Sequence, residues 1–164
     1  MLPSTSDRDP EFEIGTDGYL LRRAMLGERS VPICVEYEQT GDHLSPLQRE
    51  AIRQALTLPP DVLRIAAPVV LQNYEVYRLA VEDDEIMPPL ADPIQVWDEV
   101  TFSYIFVPPH VDLDLHVPTF MLLAECSWDP EHGLEVRFCN GIAEESNQQG
   151  EVGWCGNSGQ QVVG

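Results

Sequence analysis

Three proline pairs, Pro59-Pro60, Pro88-Pro89 and Pro108-Pro109, divide the chain more firmly than any other feature. Proline lacks a backbone N–H and its ring clashes with the preceding helical turn, so neither a helix nor a central strand runs through such a pair. Each pair therefore marks where an element has to end. Strand-like patterns occupy residues 11 to 40, helical patterns residues 46 to 82, and strand-like patterns return from 94. The order strands, helices, strands predicts an α+β fold rather than a doubly wound parallel sheet.

Within the first segment, Glu11-Phe-Glu-Ile14 alternates, Thr16-Asp-Gly18 is a turn signal, and Val31 to Glu38 is rich in β-branched and aromatic residues. These features predict a small antiparallel meander. Ser45-Pro46 offers a helix N-cap followed by proline at the first helical position. The apolar residues Leu47, Ala51, Ile52, Ala55 and Leu56 then form a stripe, which predicts a helix over 46–57. A second helix, over 61–82, contains Pro68 and so is expected to bend or split. Its apolar residues are too numerous for one stripe, which predicts cover on more than one side. Val96 to Val107 reads as a strand, Thr119 to Trp128 and Leu134 to Cys139 as hairpin arms around a turn at 129–133, and Asn140-Gly141 as a second hairpin turn with a return strand at 142–145.

The expected architecture is a single antiparallel sheet, the N-terminal meander plus the C-terminal hairpins, with both helices packed on one face. Its core would draw Trp97, Phe102, Tyr104, Phe106, Phe120, Leu122, Trp128 and Phe138 from the sheet and Ile52, Leu56, Leu63, Val70, Leu71 and Tyr74 from the helices. At 164 residues one domain is expected, over 11–145, with a disordered arm at 1–10 and a Gly/Gln/Ser-rich, partly disordered tail at 146–164. Such a domain needs no disulfide or structural metal, and Cys34, Cys126, Cys139 and Cys155 read as free thiols of a cytoplasmic protein. No apolar run is long enough to cross a membrane, and the N-terminus lacks the basic start and apolar stretch of a signal peptide.

Charge narrows the function. Twenty-eight Asp and Glu stand against nine basic residues, all of them Arg, for a formal charge of −19. A nucleic-acid or anionic-membrane surface needs a basic stripe, which this chain lacks. The charge points instead to a basic protein partner, and the sequence nominates Glu82, Asp83, Asp84, Glu85, Asp92, Asp98 and Glu99 as the binding face. Asp83-Asp84-Glu85 sits at a helix C-terminus, where the macrodipole opposes negative charge, so helix stability does not explain it.

Two local patterns could carry chemistry. In His110-Val-Asp112-Leu-Asp114-Leu-His116 an extended backbone would put both His and both Asp on one face, a ligand set for Zn²⁺ or Mn²⁺ with His132 in addition. The same spacing also describes an edge strand with one solvated face, and its proline brackets describe a loop. Glu125-Cys-Ser-Trp-Asp129-Pro-Glu131-His132 holds a thiol and an imidazole, yet its three carboxylates would raise the Cys126 pKa rather than lower it. A noncatalytic hairpin turn is the expected role.

Cys126-Ser-Trp-Asp-Pro-Glu-His-Gly-Leu134, followed by an apolar strand and Asn140-Gly141, resembles the C-terminal signature of a family of small bacterial domains of unknown function. The resemblance covers about residues 94–145. Members of that family are regarded as immunity-like because related genes lie beside secreted toxins, and no catalytic residue carries over. The resemblance implies a bacterial protein. The combined expectation is an acidic, noncatalytic immunity or inhibitor protein that neutralises a basic partner such as a toxin. The alternatives are a metal-binding module or metal-assisted hydrolase built on the 110–116 face, and a nucleic-acid mimic in which spaced carboxylates imitate phosphates.

Overall fold

A computed structural model of the protein describes residues 12–39 and 43–152. The expected arm at 1–10, Glu11, Cys155 and the tail beyond 152 lie outside them. Strands β1 (Ala24–Leu26) and β2 (Arg29–Val31) form a two-stranded antiparallel sheet of their own. Strand β3 (Ile33–Val35) instead joins a five-stranded sheet with β4 (Val100–Val107), β5 (Thr119–Cys126), β6 (Leu134–Cys139) and β7 (Ile142–Asn147), in the order β3-β4-β5-β6-β7.

The expected single antiparallel sheet is therefore wrong in two respects. Pro32 cannot donate to a ladder and separates β2 from β3, so the apolar run from Val31 does not form one strand. Its carbonyl accepts from the Ile105 N–H at 2.9 Å. Beyond the break, β3 runs parallel to β4, with Ile33, Cys34 and Val35 opposite Ile105, Phe106 and Val107. A parallel pair needs a long crossover, and the two helices between these strands supply one. The larger sheet is consequently mixed.

Helix α1 (Pro46–Leu56) starts where predicted, because Ser45 and Gln48 form a reciprocal capping box. Helix α2 (Val62–Val81) continues through Pro68 without splitting and ends at Glu82 in a left-handed conformation, φ 56°. It buries one side only. Ala66, Ala67, Val70 and Tyr74 face the core, whereas Ile65, Val76 and Leu79 are exposed, contrary to the expectation of cover on more than one side. Residues Pro93–Glu99 form a 3-10 helix rather than the start of a strand, since Asp92 caps it, Pro93 sits at its first position and Gln95 closes the capping box. This turn sinks Trp97 into the core, where its indole N–H donates to the Leu63 carbonyl at 2.6 Å.

Alternation then assigns one face of the sheet to the core. Phe120, Leu122 and Ala124 of β5 and Leu134, Val136 and Phe138 of β6 join Ala51, Ile52 and Ala55 of α1 and the inner side of α2 in one cluster. Phe120 lies opposite Phe138, with stacked rings 4.7 Å apart. Phe102, Leu56, Leu63 and Leu71 pack partly against this cluster, whereas Tyr104 and Phe106, expected in the core, are half-buried outside it. Asn140 (φ 54°) and Gly141 (φ 79°) close the β6–β7 hairpin as a two-residue turn with both φ positive. Cys34 and Cys126 are free, but Cys139 is disulfide-bonded, which corrects the expectation of free thiols at that residue. Among the described residues no helix is long and apolar enough to cross a membrane.

Candidate functional site

The nominated acidic residues separate into two groups. Asp92 serves the fold: its side chain accepts from the Ile94 N–H at 3.1 Å, and it lies 3.7 Å from Arg64. The others cluster near the C-terminal end of α2 and the end of the 3-10 helix. Glu82 ends α2, the Asp83 carboxylate accepts from the Glu85 N–H at 2.9 Å, and Asp84 reaches Arg78 at 3.4 Å. Glu99 accepts from the Ser127 hydroxyl at 2.7 Å, which ties the 3-10 helix to the β5–β6 connection. Asp98, Glu99 and Glu125 line one cleft of about 420 Å³. Glu99 also borders a second, of about 290 Å³, whose walls include Val81, Ile86, Met87 and Trp128. One carboxylate thus joins an acidic cleft to an apolar one.

The 110–116 segment does not form the extended ligand face. Residues 110–114 make a turn, and Asp114 is left-handed at φ 56°. His110 is fully buried: the Thr119 N–H donates to its Nε2 at 2.9 Å, so the proton sits on Nδ1, which donates to the Pro108 carbonyl at 2.8 Å. Both ring nitrogens are occupied, and burial lowers the pKa of the ring. Asp112 accepts from the Gln39 N–H at 2.7 Å. Asp114 and His116 meet each other at 3.4 Å in solvent, and His132 pairs elsewhere. Among the described residues no three His, Cys, Asp or Glu side chains are arranged to hold a metal ion.

What surrounds His110 is a buried polar knot. Glu38 is 2% exposed, and its carboxylate accepts from the N–H groups of Val111 and Asp112 at 3.0 to 3.1 Å. Burial pushes its pKa up, but these two N–H groups, Ser45 and nearby His110 outweigh that and hold it below the usual range. Fully buried Gln48 donates to the Glu36 and Pro108 carbonyls at 2.6 and 3.0 Å and accepts from the Ser45 N–H at 2.9 Å. The knot fastens the N-terminus of α1 to β3 and to the β4–β5 connection.

The signature loop after β5 is built around Asp129, which is 7% exposed. The Tyr77 hydroxyl donates to one carboxylate oxygen at 2.6 Å, and the other lies 3.0 Å from the His132 Nδ1 and accepts the His132 N–H at 3.1 Å. Burial pushes the carboxyl pKa up, yet these donors outweigh it and hold it below the usual range. The same bond, with burial, drives the Tyr77 hydroxyl up to about 12. Trp128 donates to the Asn73 amide oxygen at 2.8 Å and stands edge-on to Tyr74. Gly133 turns the chain at φ 71°, where an added Cβ would lie 2.9 Å from the Ala124 carbonyl. Burial raises the Cys126 thiol to about 11, far from nucleophilic at neutral pH.

Sequence reasoning found the loop but missed Tyr77 and Asn73, which hold it from α2, and it placed Glu125 with the loop rather than with the acidic face. Nothing local marks the first two, since their partners lie more than fifty positions away. No curated protein and no solved structure matches the chain. A family profile does, over residues 11–152, which takes in both sheets, all the helices, the polar knot and the signature loop. The chain belongs to the family described as domain of unknown function DUF6985.

Proposed function

We propose that the protein is an acidic, noncatalytic binding protein of the immunity or inhibitor type, bacterial in origin, that neutralises a basic protein partner such as a toxin. The observation that carries this reading is the shared wall at Glu99, where a cleft lined by Asp98 and Glu125 meets one lined by Val81, Ile86 and Trp128. A basic side chain placed between Asp98 and Glu125 would bring neighbouring apolar groups of the same partner against Val81 and Ile86. Glu82, Asp83, Asp84 and Glu85 extend the negative field around this point, whereas Asp92, paired with Arg64 in the first turn of α2, stands apart from it. An inhibitor gains from such a field because complementary charge raises association rates above the roughly 10⁵ to 10⁶ M⁻¹s⁻¹ of neutral pairs. Noncatalytic action is supported by the suppressed thiol of Cys126 and the closed bonding of His110.

The test is binding and protection against a basic toxin encoded beside the gene. Wild-type protein should associate with a rate that falls steeply with salt, and a D98N/E99Q/E125Q variant should associate about tenfold more slowly at low salt. Equal rates and equal protection by the two proteins would sink this reading. If the partner is a DNA-binding protein, competition with DNA would mark the interaction as mimicry.

A further inference from the structure

The outer side of α2 carries an apolar ridge that the core does not use. Ile65, Val76 and Leu79 are 56%, 66% and 66% exposed. At 100° per residue they fall on one stripe, opposite the buried Ala66, Val70 and Tyr74, and extend about 21 Å along the helix axis. Exposed Pro68 and Gln72 occupy the same face between Ile65 and Val76. Helices on a folded surface ordinarily turn their apolar positions inward, and apolar groups left exposed along one face mark an interaction surface.

The margins of the ridge identify what covers it. On one side stand Glu75, Glu82 and Asp84, with Arg78 already engaged by Glu75 at 2.8 Å and by Asp84 at 3.4 Å. On the other, Val76 forms part of a cleft of about 600 Å³ between α2 and β7 that also includes Glu144, Glu145 and Glu151. The nearest cation there, Arg137, is buried and paired with Glu144 and Glu145. Both margins therefore carry more carboxylates than guanidiniums. A second copy laid on the ridge would set acidic margin against acidic margin, and an anionic membrane would be repelled in the same way.

We propose that this ridge docks a basic amphipathic helix of a partner protein, whose apolar seam covers Ile65, Val76 and Leu79 and whose Lys or Arg flanks reach Glu82 on one side and Glu151 on the other. The inference rests on the acidic-binder reading and gives it a second, apolar contact region. It differs in what carries affinity, since the ridge demands an ordered seam and not charge alone.

The probe is a synthetic helix of about 18 residues with a leucine seam and lysine flanks, long enough at 1.5 Å per residue to span the ridge. A scrambled peptide of the same composition is the control, and fluorescence anisotropy the readout. The seam peptide should bind about tenfold tighter than the scrambled one, and V76S/L79S should bring the two together. Both side chains are exposed, so this variant should keep the wild-type circular dichroism and unfolding midpoint. E82Q/E151Q should weaken the seam peptide a few-fold at low salt and flatten its salt dependence. Equal binding of seam and scrambled peptides by the wild type, or an unchanged affinity in V76S/L79S, would overturn the docking surface. So would a dimer in sedimentation velocity that V76S/L79S abolishes, because the ridge would then belong to a second copy. If the ridge fails while D98N/E99Q/E125Q still slows toxin association, only the docking surface falls; if that variant changes nothing, the acidic reading falls with it.

Discussion

The knot around Glu38, Gln48 and His110 and the loop around Asp129 and His132 draw on the same residue types, a buried carboxylate and a histidine with backbone donors. In the knot every group faces another group of the protein: Gln48 spends both ends of its amide on backbone partners, and His110 both its nitrogens. In the loop the bonding stops halfway. Asp129 is fully engaged, but the His132 side chain it positions is 55% exposed. The first arrangement holds elements together, whereas the second fixes a surface, with Ser127 and Trp128 of the same loop forming part of the clefts beside Glu99. Chemical composition does not separate the two cases; what separates them is whether the last donor or acceptor points at protein or at water.

The largest expected effect tests whether the knot is closed. Gln48→Ala leaves the Glu36 and Pro108 carbonyls and the Ser45 N–H without this partner and opens a void, which should cost about 3 to 5 kcal/mol in denaturant unfolding. A cost below about 1 kcal/mol would mean that water reaches these groups and that the knot resembles the loop.

Acidification gives a smaller effect of defined sign. His110 has a lowered pKa in the folded protein, so the unfolded chain binds more protons as pH falls. Its contribution is present above about pH 6.5 and is lost as pH drops below that value toward the folded pKa. Glu38, also lowered, contributes above about pH 4.3 and is lost as pH falls through its folded pKa. Asp129, held low by Tyr77 and His132, adds to the same acidic loss. Unfolding free energies measured from about pH 8 to about pH 3 should therefore decline in two stages, and Glu38→Gln should shrink the lower stage without abolishing it while keeping the upper. A variant with the wild-type profile would show that the carboxylate is not protected as its bonds require.

The smallest expected effect lies in the loop. His132→Ala removes a largely exposed ring whose partner Asp129 keeps Tyr77, so stability should change by less than about 1 kcal/mol. A larger loss would make the loop a second structural lock and would erase the contrast between the two regions.

Much of this was legible wherever a local rule decides the outcome. Ser45-Pro46 announced α1, Asn140-Gly141 announced the β6–β7 turn, and the break at 129–133 announced the β5–β6 hairpin. Long-range choices were not legible. Val31 to Glu38 has strand composition throughout, and only the pairing of Ile33 with Ile105 shows that the segment changes sheets at Pro32. Val96-Trp97 likewise has strand propensity, which the Asp92-Pro93 cap and the burial of Trp97 override. In the site, the carboxylates were visible as a cluster in sequence and the Asp92 cap is local to Pro93–Gln95, but the cleft wall at Asp98 and Glu99 depends on where Glu125 comes to lie.

The parallel pairing of β3 with β4 has a consequence for the order of assembly. Strands β4 to β7 are joined in sequence, and each antiparallel pair can zip from its own turn. By contrast, β3 must wait for a partner on the far side of both helices, and closing so long a loop is paid in chain entropy before any ladder bond forms. The C-terminal hairpins should thus gain protection from hydrogen exchange first during refolding, and the Glu36 amide, which donates to the Val107 carbonyl across the parallel pair, last. Until β3 docks, the exposed edge of β4, with Ile105 and Val107, is the surface through which a refolding chain is most vulnerable to pairing with a neighbour.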